Sequence, residues 1–566
     1  MNRLAARRSA WAAPVAGFVS QPEPRTIGLY ARGKQLVAGN FLFAGHLVEA
    51  PGIAIWEIAP PSSAFEAAVQ GYAWLDDLAA VGDPAARQRA QDWTFGWIER
   101  YGRGTGPGWS PDLTGRRLIR WINHAILLTG GQEPARMLAY YRSLAHQTVF
   151  LARRWPAASP GLPRFEALTG LIYAGLALVG MEGHVDPSAA ALAKECAREV
   201  DEQGGIPTRN PEELLEVFTL LTWAAQALGD AGRIVPAVHL AAIERIAPTL
   251  RALRHADGGL ARFHGGGRGQ EGRLDHALAS AGVKPAPHVG LAMGFARLSG
   301  GRTTLVADVT EPPDDRAGAS AHASTLAFEL TSGRRPMIVN CGSGAPFGRD
   351  WHRASRATQS HSTLCIDGFS SSRFARDGRE VLADRAHITL LRSSGVEGAG
   401  AEAAHLLLAG HDGWRRTHGL VHLRDLALST DGRHLAGVEM LTAETRADRA
   451  RLAAVLGRMP EGIGYSIRFH LHPDTDAEID MGGAAISIAL RSGEIWVFRH
   501  DGQADLALEP SVYLEKGRLM PRSARQIVLS AHLRDFQARI GWTLAKAQDT
   551  PLAIRDLDRE DPASRL

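Results

Sequence analysis

From about residue 64 to 255 the apolar positions recur at helical spacing, and from about 300 onward they alternate with polar ones. In the first stretch, Ser63 and Glu66 read as a capping box, with Phe65, Val69, Tyr72 and Leu75 or Leu78 as the apolar stripe behind it. Asp83-Pro84 and Asn210-Pro211 each read as an N-cap followed by proline at the first helical position, and Asp186-Pro187 repeats the device. Further amphipathic segments lie near 113–129, 134–153, 163–180 and 234–253. The pattern predicts about eight helices joined by short loops, without a repeat strict enough for a solenoid. Successive antiparallel helices of this kind suit a curved double layer, an α/α toroid.

The second stretch predicts short strands at Thr304–Val309, Thr325–Leu330, Met337–Asn340 and Ser362–Asp367. Leu420–Thr430 and His434–Glu439 flank Asp431-Gly432, a strong hairpin signal. Ser466–His472, Ala485–Leu490 and Glu494–Phe498 continue the series, with a turn at Arg491-Ser-Gly493. Many short strands with close turns predict an antiparallel β-sandwich. The intervening 256–288 is rich in Gly, Arg and His, contains Phe263-His-Gly-Gly-Gly267, and reads as loop or linker. The expected organisation is a lead-in at 1–62, an incomplete α/α toroid at 63–275, a linker at 276–295, a sandwich at 296–550 and a polar tail at 551–566.

Composition narrows this only a little. A chain of 566 residues exceeds one compact core, and 45% hydrophobic with 22% charged residues is ordinary for a globular protein. No run approaches the roughly 20 apolar residues of a membrane span. A net charge of +3 gives no case for a nucleic-acid partner. Cys196, Cys341 and Cys365 are an odd count in a large chain, imply no disulfide framework and read as small buried hydrophobes. Arg3, Arg7 and Arg8 precede Ala10–Val19, but Pro14 and Gly17 interrupt that stretch and no small-x-small site follows, so an uncleaved N-terminus is expected.

Two segments carry the chemistry. Ser320-Ala-His-Ala-Ser-Thr-Leu-Ala-Phe-Glu-Leu330 and Gln359-Ser-His-Ser-Thr-Leu-Cys-Ile-Asp-Gly368 each set a histidine ahead of a strand-like run. Together they resemble the C-terminal domain of the heparinase II/III family of polysaccharide lyases, with His322, Phe328 and His361 in matching places. His411-Asp-Gly-Trp-Arg415, Val421-His-Leu-Arg424, Arg468-Phe-His-Leu-His-Pro473 and Glu509-Pro-Ser-Val-Tyr513 look like its later strands. The resemblance implies a helical toroid followed by a β-sandwich, a cell-envelope setting, and β-elimination on an acidic, uronic-acid-containing glycan such as a glycosaminoglycan. The partner is then an acidic polysaccharide or oligosaccharide, with a homodimer left open.

Elimination needs a group that neutralises the uronate, a base for the C5 proton and an acid for the leaving oxygen. His322 and His361 are the candidate bases, and Arg356 the candidate carboxylate clamp. Trp109, Arg117, Asn123 and His255 are candidate sugar contacts, with core packing as the alternative for the tryptophans and a turn for His255. No cofactor is required, and a zinc ion on His322, His361 and Asn340 is the metal candidate, because relatives bind a metal at the two histidine positions. The family pattern is incomplete. Ser320 stands where relatives have a catalytic histidine, Ser324 where an acid is usual, and Asn340 where the turn aspartate belongs. No tyrosine follows Asn210-Pro-Glu-Glu213, and Leu162-Pro-Arg-Phe-Glu-Ala167 lacks the expected asparagine. A non-catalytic glycan-binding or assembly protein is therefore the alternative function, with a glycoside hydrolase behind it for want of a clear carboxylate pair.

Overall fold

The computed structural model describes residues 1–19, 24–285, 288, 290–375, 378–398 and 403–549. The tail at 551–566 and part of the expected linker lie outside them. The chain divides into two compact units, one of residues 1–204, 215–247 and 273–284, the other of 205–214, 248–272 and 285–566. The first is a toroid-type stack of helices and the second an antiparallel β-sandwich.

In the helical unit, long helices run at Pro84–Tyr101, Pro111–Asn123, Pro134–Arg154, Leu162–Ala177 and Val185–Glu199. Asp83 accepts the Ala86 N–H, with Pro84 opening the helix as its sequence predicted. The first cap falls one residue earlier than expected, since Ser62 and not Ser63 accepts the Phe65 N–H. Asp186-Pro187 does not start its helix, which begins at Val185. Two helices cross at Gly115 and Gly170, where a Cβ on Gly170 would lie 2.5 Å from the Gly115 Cα. The core is unusually aromatic: Tyr72, Trp74, Trp93, Trp97 and Trp121 are buried, and the Tyr72 and Trp74 rings lie 4.5 Å apart. Asn2–Ser9, Tyr30–Ala38 and a hairpin pairing Asn40–Phe43 with His46–Glu49 precede these helices.

In the sandwich, one eight-stranded sheet runs in the order Ile388–Glu397, Ala404–Trp414, Leu420–Ser429, His434–Thr442, Gln537–Gln548, Ile495–His500, Ala485–Ala489, Asp476–Asp480. The other runs Asp505–Tyr513, Arg522–Leu533, Ile463–Leu471, Arg335–Val339, Phe328–Ser332, Thr303–Asp308, Phe295–Gly300, with Leu364–Ile366 also paired to Ile463–Leu471. Pairing is antiparallel throughout the two sheets. The Asp431-Gly432 turn joins Leu428 opposite Leu435, with Gly432 at φ +70°. Phe328, Leu330, Ile467, Phe469, Trp496, Phe498 and Trp542 fill the space between the sheets. Because side chains alternate along a strand, Glu329 and Thr331 point to the other face of their sheet. That alternation separates the apolar core from the polar groups considered next.

Candidate functional site

His322 precedes the strand Phe328–Ser332, and His361 follows a short turn ahead of Leu364–Ile366. The fold brings the two imidazoles together, with His322 Nδ1 3.0 Å from His361 Nε2. The His361 Nδ1 lies 2.8 Å from the Ala357 carbonyl, which can only accept, so that nitrogen carries the proton. His361 Nε2 is then the acceptor and His322 Nδ1 the donor. His322 Nε2 is left as a bare lone pair without a partner among the described residues. Burial pushes His361 down to about 4, and burial with the charges of His361, His264 and Arg356 pushes His322 well below the ordinary histidine range. Both rings are therefore neutral at pH 7, as this proton assignment requires.

A second layer holds the pair. The His322 backbone N–H donates to His264 Nδ1 at 3.2 Å, which turns the protonated His264 Nε2 toward Asp308 Oδ2 at 3.4 Å. Asp308 also accepts from Ser324 Oγ and from Arg209 Nη2, each at 2.6 Å. Burial works to raise the Asp308 carboxyl, but Arg209 and His264 overcome it and hold it far below the usual range. His264 sits at φ +48°, a left-handed conformation that a non-glycine residue adopts at some cost and that aims its ring at His322.

Arg356 is 1% exposed, and its guanidinium donates to the carbonyls of Ala321, Gly318 and Glu380 at 2.7, 2.9 and 2.9 Å. It clamps the loop that carries His322. Asn340 lies beside the pair with its Oδ1 accepting the Ser362 N–H at 2.9 Å. For zinc, the donor set falls short. The His322–His361 hydrogen bond occupies a lone pair that a metal would take, and Asn340 is turned to the backbone. Among the described residues no group of three or more His, Cys, Asp or Glu side chains is placed to hold a metal ion.

His255 belongs to the same unit but to a different cluster, with Nε2 3.1 Å from Glu329 Oε2 and Nδ1 3.2 Å from Thr331 Oγ1. Trp109, Arg117 and Asn123 are in the helical unit. Trp109 donates to the Tyr101 carbonyl at 3.0 Å and packs beside Phe150. Arg117 is fully buried, bound to Gln147, Gln70 and Gly108, and stacked on Trp97 at 4.0 Å. Its burial pushes it down to about 9. Asn123 is buried, and neither of its side-chain polar atoms has a partner among the described residues. Sequence reasoning missed His264, Asp308 and Arg209. Phe263-His-Gly-Gly-Gly267 marked a special backbone at His264, whereas the Arg209–Asp308 contact spans 99 positions and left no local trace.

Residues 282–543 match the family model described as heparinase II/III-like, C-terminal. The chain is similar to the FtsZ-localized protein C of Caulobacter vibrioides, 30% identical over 511 residues that cover 87% of this chain and 84% of that protein. In structure it is similar to heparinase III, with a TM-score of 0.68 at 12% identity, covering 96% of this chain and 89% of that one. It is also similar to the heparan sulfate lyase HepC from Pedobacter heparinus (the mutant form), with a TM-score of 0.59 at 13% identity over 97% and 88% of the two chains.

Proposed function

The chain belongs to the heparinase II/III-like family, and we propose that this member uses the lyase scaffold for assembly at the FtsZ division apparatus rather than for glycan cleavage. The observation that carries this reading is the engagement of the candidate chemistry by the protein itself. Both ring nitrogens of His361 and three guanidinium donors of Arg356 are bound internally. A uronate clamp and a base must instead present free groups to the substrate. The FtsZ-localized relative supports the choice of partner, because it aligns along most of this chain. The test is twofold. Co-sedimentation with FtsZ polymers should retain the protein, and a panel of uronic-acid polysaccharides should give no new ultraviolet absorbance from an unsaturated uronate. Product formation, or no association with FtsZ, would overturn it.

One observation favours a second reading, a lyase acting on an acidic glycan. The Nε2 of His322 is a neutral base without a partner among the described residues, buried so that a substrate reaches it only if its cover moves. In that chemistry the base removes the C5 proton, the C4–O bond breaks as the C4–C5 double bond forms, and the leaving oxygen takes a proton. Should the wild-type protein make unsaturated product, His322→Gln ought to lower the rate by about 10²–10⁴.

A further inference from the structure

A cavity of about 280 Å³ lies within the sandwich unit, on the outer face of the sheet that contains Phe328–Ser332. It shares no residue with the His322–His361 cluster. Six arginines line it: Arg262, Arg268, Arg334, Arg335, Arg491 and Arg522. Carboxylates fix the orientation of several. Arg262 pairs with Glu329 at 3.2 Å and Arg268 with Asp257 at 3.4 Å. Arg491 and Arg522 share Asp474 at 3.0 and 2.7 Å. A guanidinium has five N–H donors, and each pairing engages only one or two of them. Arg334, which also lines the cavity, is exposed. Tyr513 supplies a flat apolar surface, its ring 4.6 Å from the Arg262 guanidinium and 5.0 Å from the His472 ring. Burial, then the charges of Arg262 and Arg522, push His472 down to about 3.

We propose that this cavity binds a small polyhydroxylated carboxylate. The arginine forks match the planar acid group bidentately. The same lining holds Asp257, Glu271, Glu329, Asp474 and Glu515, which accept from hydroxyls but repel a second negative charge. That mixture disfavours inorganic phosphate and favours one acid group surrounded by hydroxyls. The volume lies just below the roughly 300–1,000 Å³ of drug-sized ligand pockets, which limits the ligand to about one ring or a short chain.

The chemistry fits a free hydroxy acid or the acidic end of a glycan, and the test separates them. Titration calorimetry on the full chain uses gluconate, a uronate-terminated disaccharide, the corresponding neutral disaccharide and inorganic phosphate. Saturable binding of gluconate alone assigns a free acid, and binding of the uronate disaccharide assigns a glycan end. Either supports the site if the neutral sugar and phosphate bind at least about tenfold more weakly. Arg334→Ala and Arg491→Ala alter exposed side chains, so folding should survive, and the loss of charge-assisted hydrogen bonds should weaken binding about tenfold to a hundredfold. No saturable binding of either acid, equal binding of the neutral sugar or phosphate, or unchanged affinity in both variants would overturn the proposal.

Discussion

His361 illustrates how a side chain placed at a strand end becomes structural. Its position ahead of Leu364–Ile366 suggests an imidazole free to face a ligand, yet it is 2% exposed and hydrogen-bonded through both nitrogens. His361→Ala would strand the Ala357 carbonyl and the His322 Nδ1–H in a buried space. An unsatisfied buried group costs about 1–3 kcal/mol, so thermal unfolding of the variant should begin several degrees below wild type. An unchanged melting temperature would mean that water replaces the ring without loss. The pairing of His322 with His361 was legible in the sequence because each histidine precedes a strand-like run in a recognisable order. Their sealing was not, because Arg356, His264 and Asp308 act through contacts between distant segments. Arg356 read as a candidate carboxylate clamp, and only the folded chain supplies the three carbonyls that hold it instead.

At the scale of elements, local signals worked where the physics is local. Asp83-Pro84 sets its helix start through a side-chain cap and a fixed φ, both encoded within four residues. Asp186-Pro187 has the same letters, but the helix there starts at Val185 out of the turn Glu182–His184. The strand Ile388–Glu397 escaped the alternation pattern because it is a sheet edge with most of its positions exposed or half-exposed. The close crossing at Gly115 and Gly170 was likewise invisible, since a glycine inside a helix only announces lower propensity. A Cβ on Gly115 would meet the Glu166 carbonyl at 2.3 Å. Gly115→Ala should therefore force the two helices apart and cost about 1–3 kcal/mol through overpacking, despite the better helix propensity of alanine. A variant as stable as wild type in urea would show that the crossing can relax freely. Inside the sandwich, Glu439 accepts from His422 at 2.7 Å, Arg424 at 2.8 Å and Trp542 at 3.1 Å. Burial alone would raise Glu439, but Arg424 and His422 hold it down to about 2. Glu439→Gln removes the charge that the buried Arg424 needs and should destabilise the fold at pH 7 by about 3 kcal/mol or more.

Over the whole molecule, the buried histidines set a common dependence on acid. Burial pushes His239 and His361 down to about 4, and His470 and His472 down to about 3. Their unfolded value is near 6.5. Between those limits the unfolded chain binds protons that the native chain refuses, so stability is fully present above about pH 6.5 and declines as pH falls toward the folded values. Each such histidine lowers stability as pH falls from 7 to 5, by about 2 kcal/mol at most, and all four act in the same direction. His264, His322, His411 and His422 are shifted in the same direction and add to the loss. Asp77 opposes it: burial raises its carboxyl to about 6, so it gains a proton in the native state first and returns about 1 kcal/mol. Losses of this sign are large beside the stability of a typical domain, about 5–15 kcal/mol. Urea unfolding followed by tryptophan fluorescence should therefore show a midpoint that falls steeply between pH 7 and pH 5, with partial unfolding near pH 5 in buffer alone. Since the histidines with the deepest shifts lie in the sandwich, its circular-dichroism signal should be lost before that of the helices. Equal stability at pH 7 and pH 5 would mean that the buried imidazoles are reached by water and titrate as free ones do.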